Sequence, residues 1–188
     1  MSLTRIDPVS ALVLIDLQKD LVPGRSGPAG LTVVERAADL AAAFRRRGLP
    51  VVLVTVAGGP FGRTDRRRPE RDTIRPAGQP EVVDELDAQP SDHRVTKRRR
   101  SAFHDTGLDT LLRDLGVTQV VLAGVSTSSG VESTARSAFD HGYHVVLATD
   151  AMTDTDPDAH RHSVDRVFPK IAETATTAEI VGAVEGAR

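Results

Sequence analysis

Short, wholly apolar runs alternate with helically patterned stretches along the 188-residue chain. Ala11-Leu12-Val13-Leu14-Ile15 is such a run; it ends at Asp16 and reads as a buried parallel strand. From Leu31 to Arg47 the residues Val33, Val34, Ala37, Ala38, Leu40, Ala41 and Phe44 recur at helical spacing, and Gly48 stops the helix. Pro50 to Val56 is a second strand, followed by a Gly/Pro/Arg-rich loop from Ala57 to Pro80 and a short helix near Glu81 to Leu86. Arg94-Val95-Thr96 predicts a third strand that delivers Lys97. Helices are expected over Leu108 to Leu115, closed by Gly116, and over Val131 to His141, closed by Gly142. Strands are expected over Gln119 to Ala123 and His144 to Thr149. A helix from Pro157 to Val167, a short strand near Ile171 and a helix from Thr177 to Val184 complete the pattern. Alternation of apolar strands with helices implies an α/β fold, a parallel sheet covered on both faces. Ligands of such folds bind beyond the carboxyl ends of the strands, where Asp16, Lys97, Gly124 to Gly130 and Asp150 are expected.

Composition narrows the function. Apolar residues make up 39% and charged residues 27%, the balance of a chain with a packed core, organised as one domain over 1–188. No apolar run approaches the ~18 residues of a membrane span. Met1 to Pro8 lacks the charged-then-apolar layout of an export signal, so a cytoplasmic location is expected. With no cysteine, a disulfide framework, thiolate metal sites and thiol nucleophiles are excluded. A net charge of −2 points to neither nucleic acid nor membrane as partner. Among 24 basic residues only Lys19, Lys97 and Lys170 are lysine, and Lys97 directly precedes Arg98-Arg99-Arg100. A lysine kept amid arginines suggests chemistry that needs a compact ammonium.

Asp16 at a strand end can act as a general acid/base or merely cap a turn, and Lys97 can serve it or form a structural ion pair with it. Ser129 with Glu132 three residues on has the spacing of a capping box, which would leave N–H groups at that helix start for an oxyanion. No Gly-x-Ser-x-Gly elbow is present. Asp154-Thr155-Asp156-Pro157-Asp158 opens like a calcium loop, but Ala159 stands where that loop needs glycine. His160 and His162, two apart on a helix, face different ways and cannot share a metal. The arginines of Arg63 to Arg75 are interleaved with Asp65, Glu70 and Asp72, which fits a solvated loop or subunit contact as well as anion binding.

These motifs converge. Ala11 to Gln18, Val95-Thr96-Lys97 with Ser101-Ala102-Phe103, Leu122 to Thr127 with Thr134-Ala135, then Gly142-Tyr143 and Asp150-Ala151 together resemble the isochorismatase-like hydrolases, or cysteine hydrolase superfamily. The likeness runs from Ala11 to Thr177. It implies a three-layer α/β/α fold with a mostly parallel, six-stranded sheet, a homo-oligomer (dimer or tetramer), and an Asp–Lys–Cys triad in the amidase members. Asp16 matches the triad aspartate and Lys97 the lysine, while the cysteine position falls on Gly130. The resemblance also implies a cis peptide at Val125–Ser126, with Val125, Ser126 and Ser129 as candidate substrate- or oxyanion-binding residues. Nicotinamidase-like members carry an Asp/His metal site after the second strand. Ala57 to Pro80 has no histidine, so neither metal nor other cofactor is expected.

Three functions remain open. True isochorismatases also lack a working nucleophile and cleave a vinyl ether with the aspartate as acid and water as attacking group, which suggests enol-ether hydrolysis of a small anionic metabolite. The alternatives are an amide or ester hydrolase using Asp16-activated water or one of Ser126, Ser128 and Ser129, and a non-catalytic binding or assembly protein on the same scaffold.

Overall fold

The computed structural model of the chain describes residues 3–22, 29–58, 65 and 80–186. The arginine-rich stretch from Arg63 to Arg75 lies outside them except for Asp65, as do Gly59, Pro60, Phe61 and Gly62. In chain order come β1 (Ser10–Ile15), α1 (Ala29–Arg46), β2 (Val51–Val56), β3 (His93–Lys97), α2 (Leu108–Asp114), β4 (Gln119–Val125), α3 (Glu132–Asp140), β5 (His144–Thr153), α4 (Pro157–His162), β6 (Glu173–Ala175) and α5 (Thr177–Gly186). A π-helical turn, Thr127–Val131, joins β4 to α3, and single helical turns occupy Asp84–Leu86, Ser163–Val167 and Phe168–Lys170.

All six strands pair in parallel in the order β3-β2-β1-β4-β5-β6. The alternation of β1 divides the molecule into layers. Leu12 and Leu14 pack with Val33, Ala37, Leu40 and Phe44 of α1 and Ile180 of α5. Ala11, Val13 and Ile15 pack on the other face with Leu108 and Leu112 of α2 and Ala135 and Ala138 of α3. Both faces of the strand are dry, so its run contains no polar position between Ala11 and Ile15. Each leucine buried this fully contributes about 1.5–3 kcal/mol of transfer free energy.

The glycines that stop helices do so by one device. Leu49 N–H donates to Phe44 O and Gly48 N–H to Arg45 O, a Schellman cap with Gly48 at φ +67. The same pairings recur around Gly116 and Gly142. Elsewhere the pattern was less complete. The helix expected over Pro157 to Val167 is α4 plus a π turn, and Pro169 sits in a further turn whose Phe168 is buried. The last strand is Glu173–Ala175, just past Ile171. β5 runs on to Thr153 because its pairing with β4 slips between Leu122 and Gly124, which faces Met152.

The strand order reverses beside β1. The chain winds outward through β2 and β3, then returns to place β4 on the opposite side of β1. The crevice of a doubly wound sheet opens at such a switch point, beyond the carboxyl ends of its strands. Here that means the end of β1 and the β4–α3 connection.

Candidate active site

Asp16 follows β1 directly and takes the left-handed conformation, φ +55, unusual for any residue but glycine and tolerated best by Asp and Asn. Its N–H is held by Val54 O, and its carbonyl accepts from Gln18 N–H, so the chain turns sharply at the carboxylate. Gln18 secures the turn. Its fully buried side-chain amide takes the Val56 N–H at 2.7 Å and continues the sheet where β1 has left it.

β4 must come close for this turn to fit. Gly124 has φ +121, and a Cβ there would stand 2.1 Å from Ile15 O. Only glycine satisfies both the conformation and the approach.

Lys97 ends β3, level with Val56 in the strand register. Val95 and Lys97 share a face of the strand, and β2 separates them from β1. The lysine spans that width: its ammonium lies 2.9 Å from Asp16 Oδ2, and the two side chains are 2% and 4% exposed. A second Nζ hydrogen bond, also 2.9 Å, goes to Arg100 O and folds the Arg98-Arg99-Arg100 segment back over the lysine.

Gly130 completes the group. A Cβ on it would lie 3.3 Å from Asp16 Oδ2, 3.4 Å from Lys97 Nζ and 3.0 Å from Ile15 Cγ2, and its φ is not in the left-handed region. The Gly130 carbonyl accepts from Thr134 Oγ1 at 2.7 Å, and that hydroxyl accepts from Ala102 N–H at 3.0 Å. Ala102 and Thr134 are both fully buried. The sequence motifs around them therefore join the segment after Lys97 to the π turn and fix Gly130 against the ion pair.

The Val125–Ser126 peptide is cis, and both residues are buried. The capping box expected of Ser129 and Glu132 does not form. Ser129 lies inside the π turn, its N–H donates to Ser126 O, and its hydroxyl accepts from Arg100 Nη1 at 2.5 Å. Glu132 turns instead to Arg136 and to the Ser163 hydroxyl. The π-helical winding rotates Ser129 away from the position a capping residue must hold. A capping box does form between Thr176 and Glu179, at the start of α5.

Asp150 also departs from expectation. It accepts from Thr177 N–H and hydroxyl at 2.7 and 2.9 Å and pairs with Arg36, so it anchors the start of α5 to α1. Two residues passed over in sequence brace the π turn from the far side. Asp154 accepts from both the N–H and the hydroxyl of Ser128 at 2.8 Å. His160 Nδ1 lies 2.8 Å from Thr127 Oγ1. Burial raises the Asp154 carboxyl, but the Ser128, Asp156 and Thr155 hydrogen bonds outweigh it and hold it below its ordinary value. Burial pushes the His160 imidazole down against the charges of Asp154 and Asp165. The run read as a failed calcium loop thus has other work, with Asp156 capping α4 through the Asp158 and Ala159 N–H groups. Among the described residues no three His, Asp or Glu side chains are grouped to hold a metal, and no helix is long and apolar enough to cross a membrane.

Chemically, a buried carboxylate, an ammonium and a glycine closely packed against both meet where the sheet order reverses. Comparison with known proteins identifies the family. The isochorismatase domain family matches residues 10–179. The isochorismatase family protein YecD of Escherichia coli O157:H7 is 38% identical over 184 residues, covering 93% of this chain and 96% of that one. The ureidoacrylate amidohydrolase RutB of Methylobacterium radiotolerans is 30% identical over 210 residues, covering 94% of this chain and 81% of that one. The structure of an isochorismatase family protein from Burkholderia thailandensis superposes with a TM-score of 0.88 at 36% identity, covering 96% of this chain and 98% of that one. With the domain match, the relatives and the shared fold in agreement, the chain belongs to the isochorismatase family of hydrolases.

Proposed function

We propose that the protein hydrolyses an enol ether of a small anionic metabolite, with Asp16 as general acid/base, Lys97 as its partner and no cysteine nucleophile. The observation that carries the reading is Gly130: where a side chain would stand 3.3 and 3.4 Å from the acid and the ammonium, there is only backbone. A side chain on residue 130 would thus abut both charged groups, which supports the assignment of residue 130 to the family's cysteine position, and its absence leaves Asp16 and Lys97 as the reactive groups of the site.

In the proposed reaction Asp16 gives its proton to the terminal vinyl carbon, and positive charge develops on the carbon bearing the ether oxygen. Water adds to that carbon and returns a proton to the Asp16 carboxylate. The resulting hemiketal breaks its C–O bond, releasing an alcohol and a ketone. An ammonium 2.9 Å away favours the carboxylate form, whereas desolvation under a bound substrate favours the acid. The substrate's own negative charge, drawn to Lys97, works in the same direction as desolvation. Val125, Ser126 and Ser129 line the β4–α3 side of this proposal. A cytoplasmic location and a dimeric or tetrameric assembly belong to it as well.

A second reading is amide hydrolysis with Asp16-activated water, and similarity to a ureidoacrylate amidohydrolase favours it. A panel of carboxylate-bearing enol ethers and matched N-carbamoyl acids separates the two, each assayed with wild type and Asp16→Asn. Enol-ether turnover that falls about 10²–10⁴-fold in Asp16→Asn is the expected result. Turnover of carbamoyl acids alone would move the protein to the second reading, and turnover of neither class to a binding role.

A further inference from the structure

We propose that Arg100 is the specificity residue of this site, receiving a substrate carboxylate that lies within a few bonds of the reacting atoms; the inference rests on Gly130 marking the reacting centre. Arg100 is held at both ends. Its carbonyl accepts the Lys97 ammonium at 2.9 Å, and its guanidinium donates to the Ser129 hydroxyl at 2.5 Å. It therefore bridges the segment after β3 and the π turn, the two walls that meet over Asp16.

Ser129 immediately precedes Gly130, and successive Cα atoms stand about 3.8 Å apart. The guanidinium therefore sits one residue along the π turn from Gly130, whose Cβ position faces Asp16 and Lys97. Arg100 is exposed, and it forms an ion pair with no carboxylate among the described residues. Of its five N–H donors one holds Ser129, and among the described residues no other partner takes the rest of the planar fork, which suits a two-point contact with a carboxylate.

Local charge agrees. Asp16 and Lys97 compensate each other at 2.9 Å. Of the carboxylates bonded to or following the π turn, Asp154 is engaged by Ser128, and Glu132 by Arg136 and Ser163. Arg98, also exposed, adds positive charge at the same rim. Among the described residues the charge left over at this rim is therefore positive, which favours acids over their neutral amides.

The test reads charge at the site without requiring native turnover. In a Gly130→Cys background, the alkylation rates of iodoacetate and iodoacetamide are compared; the two reagents are similar in size and differ in charge. Their rate ratio, normalised to a free thiol in the same buffer, is expected to favour iodoacetate by about tenfold at low salt and to shrink toward unity as salt rises. Adding Arg100→Gln should remove most of that preference, Arg100→Lys should keep part of it, and Arg100→Glu should invert it. A ratio unchanged by Arg100→Gln overturns the proposal, and so does a thiol that neither reagent reaches, because Arg100 would then not open onto residue 130. Failure of every enol ether and carbamoyl acid would defeat the catalytic reading while leaving this ratio intact, so the two failures are distinguishable.

Discussion

The Lys97 ammonium and Asp16 Oδ2 stand 2.9 Å apart with side chains 2% and 4% exposed, joining the ends of β3 and β1 across the strand between them. Two charges so fully withdrawn from water are each expensive without the other. Replacing one removes the other's partner at 2.9 Å, at a cost of about 3–5 kcal/mol, whereas neutralising both costs far less. Lys97→Met and Asp16→Asn, the latter neutral and tolerant of the left-handed φ, should each lower the urea midpoint strongly, and the double variant should recover much of the loss. Losses that simply add in the double variant would show that the pair is not energetically coupled.

Gly124→Ala should be among the most damaging single changes in the chain. Its methyl group would stand 2.1 Å from Ile15 O, at a φ of +121 that L-residues avoid. Neither backbone can yield without parting β4 from β1, so a loss above about 4 kcal/mol, or failure to accumulate folded protein, is expected. Gly182→Ala is the matched control. It lies in α5 with nothing within 4 Å of its added Cβ, and there the change should stabilise by about 0.5–1 kcal/mol. Thermal melting of the two variants makes the comparison.

The bracing of the π turn should be sensitive to acid in two steps. Burial holds His160 below its ordinary 6.5 in the folded protein. Below 6.5 the unfolded chain binds the proton more readily, so this stability is complete above 6.5 and is lost as pH falls through the folded value. Asp154, held below 3.8 against burial mainly by Ser128, adds a loss that begins only at more acid pH. His160→Gln should flatten the first step and leave the second, and Asp154→Asn the reverse. Denaturant midpoints followed from pH 7 to pH 3 would show it, and identical curves for wild type and His160→Gln would count against the bracing role.

Much of this architecture was written in local pattern. A strand dry on both faces needs an unbroken apolar run, which is how Ala11 to Ile15 announced β1. Gly48, Gly116 and Gly142 marked helix ends because a Schellman cap needs a left-handed residue just there. Asp16, Lys97 and Gly130 lie far apart in the chain; the alternation of strands and helices put all three at one edge of the sheet, and the family motifs then singled out Gly130. Other features were hidden because spacing does not name a partner. Ser129 and Glu132 have capping-box spacing, yet a π turn instead of an α-helical start sends them to Arg100 and Ser163. Asp150 and Asp154, close in sequence and both near the end of β5, serve Thr177 and Ser128 respectively, partners that no spacing names. Thr134 could have been found from its motif, but not the fact that it supports Gly130.

Gly130 gives the last prediction, since it separates room for water from room for a nucleophile. Gly130→Ala should fold, because the added methyl has contacts of 3.0–3.4 Å that need only a small movement of the Ile15, Asp16 or Lys97 side chains. Its methyl would nevertheless occupy the space beside the acid, so enol-ether turnover should fall at least about tenfold with stability changed by about 1 kcal/mol or less. Gly130→Cys adds a sulfur at the same point. The Lys97 ammonium, 3.4 Å from the Cβ, stabilises a thiolate, while the Asp16 carboxylate at 3.3 Å opposes it. The ammonium should win, because its N–H groups can donate a hydrogen bond to the sulfur, whereas the carboxylate can only accept. The thiol should therefore alkylate with a midpoint below the ~8.5 of free cysteine while native turnover is lost. Rate against pH for iodoacetamide, beside enol-ether activity for wild type, Gly130→Ala and Gly130→Cys, measures both. Full wild-type turnover in Gly130→Ala would refute the need for open space at residue 130, and with it the distinction drawn here between water and sulfur as the attacking group.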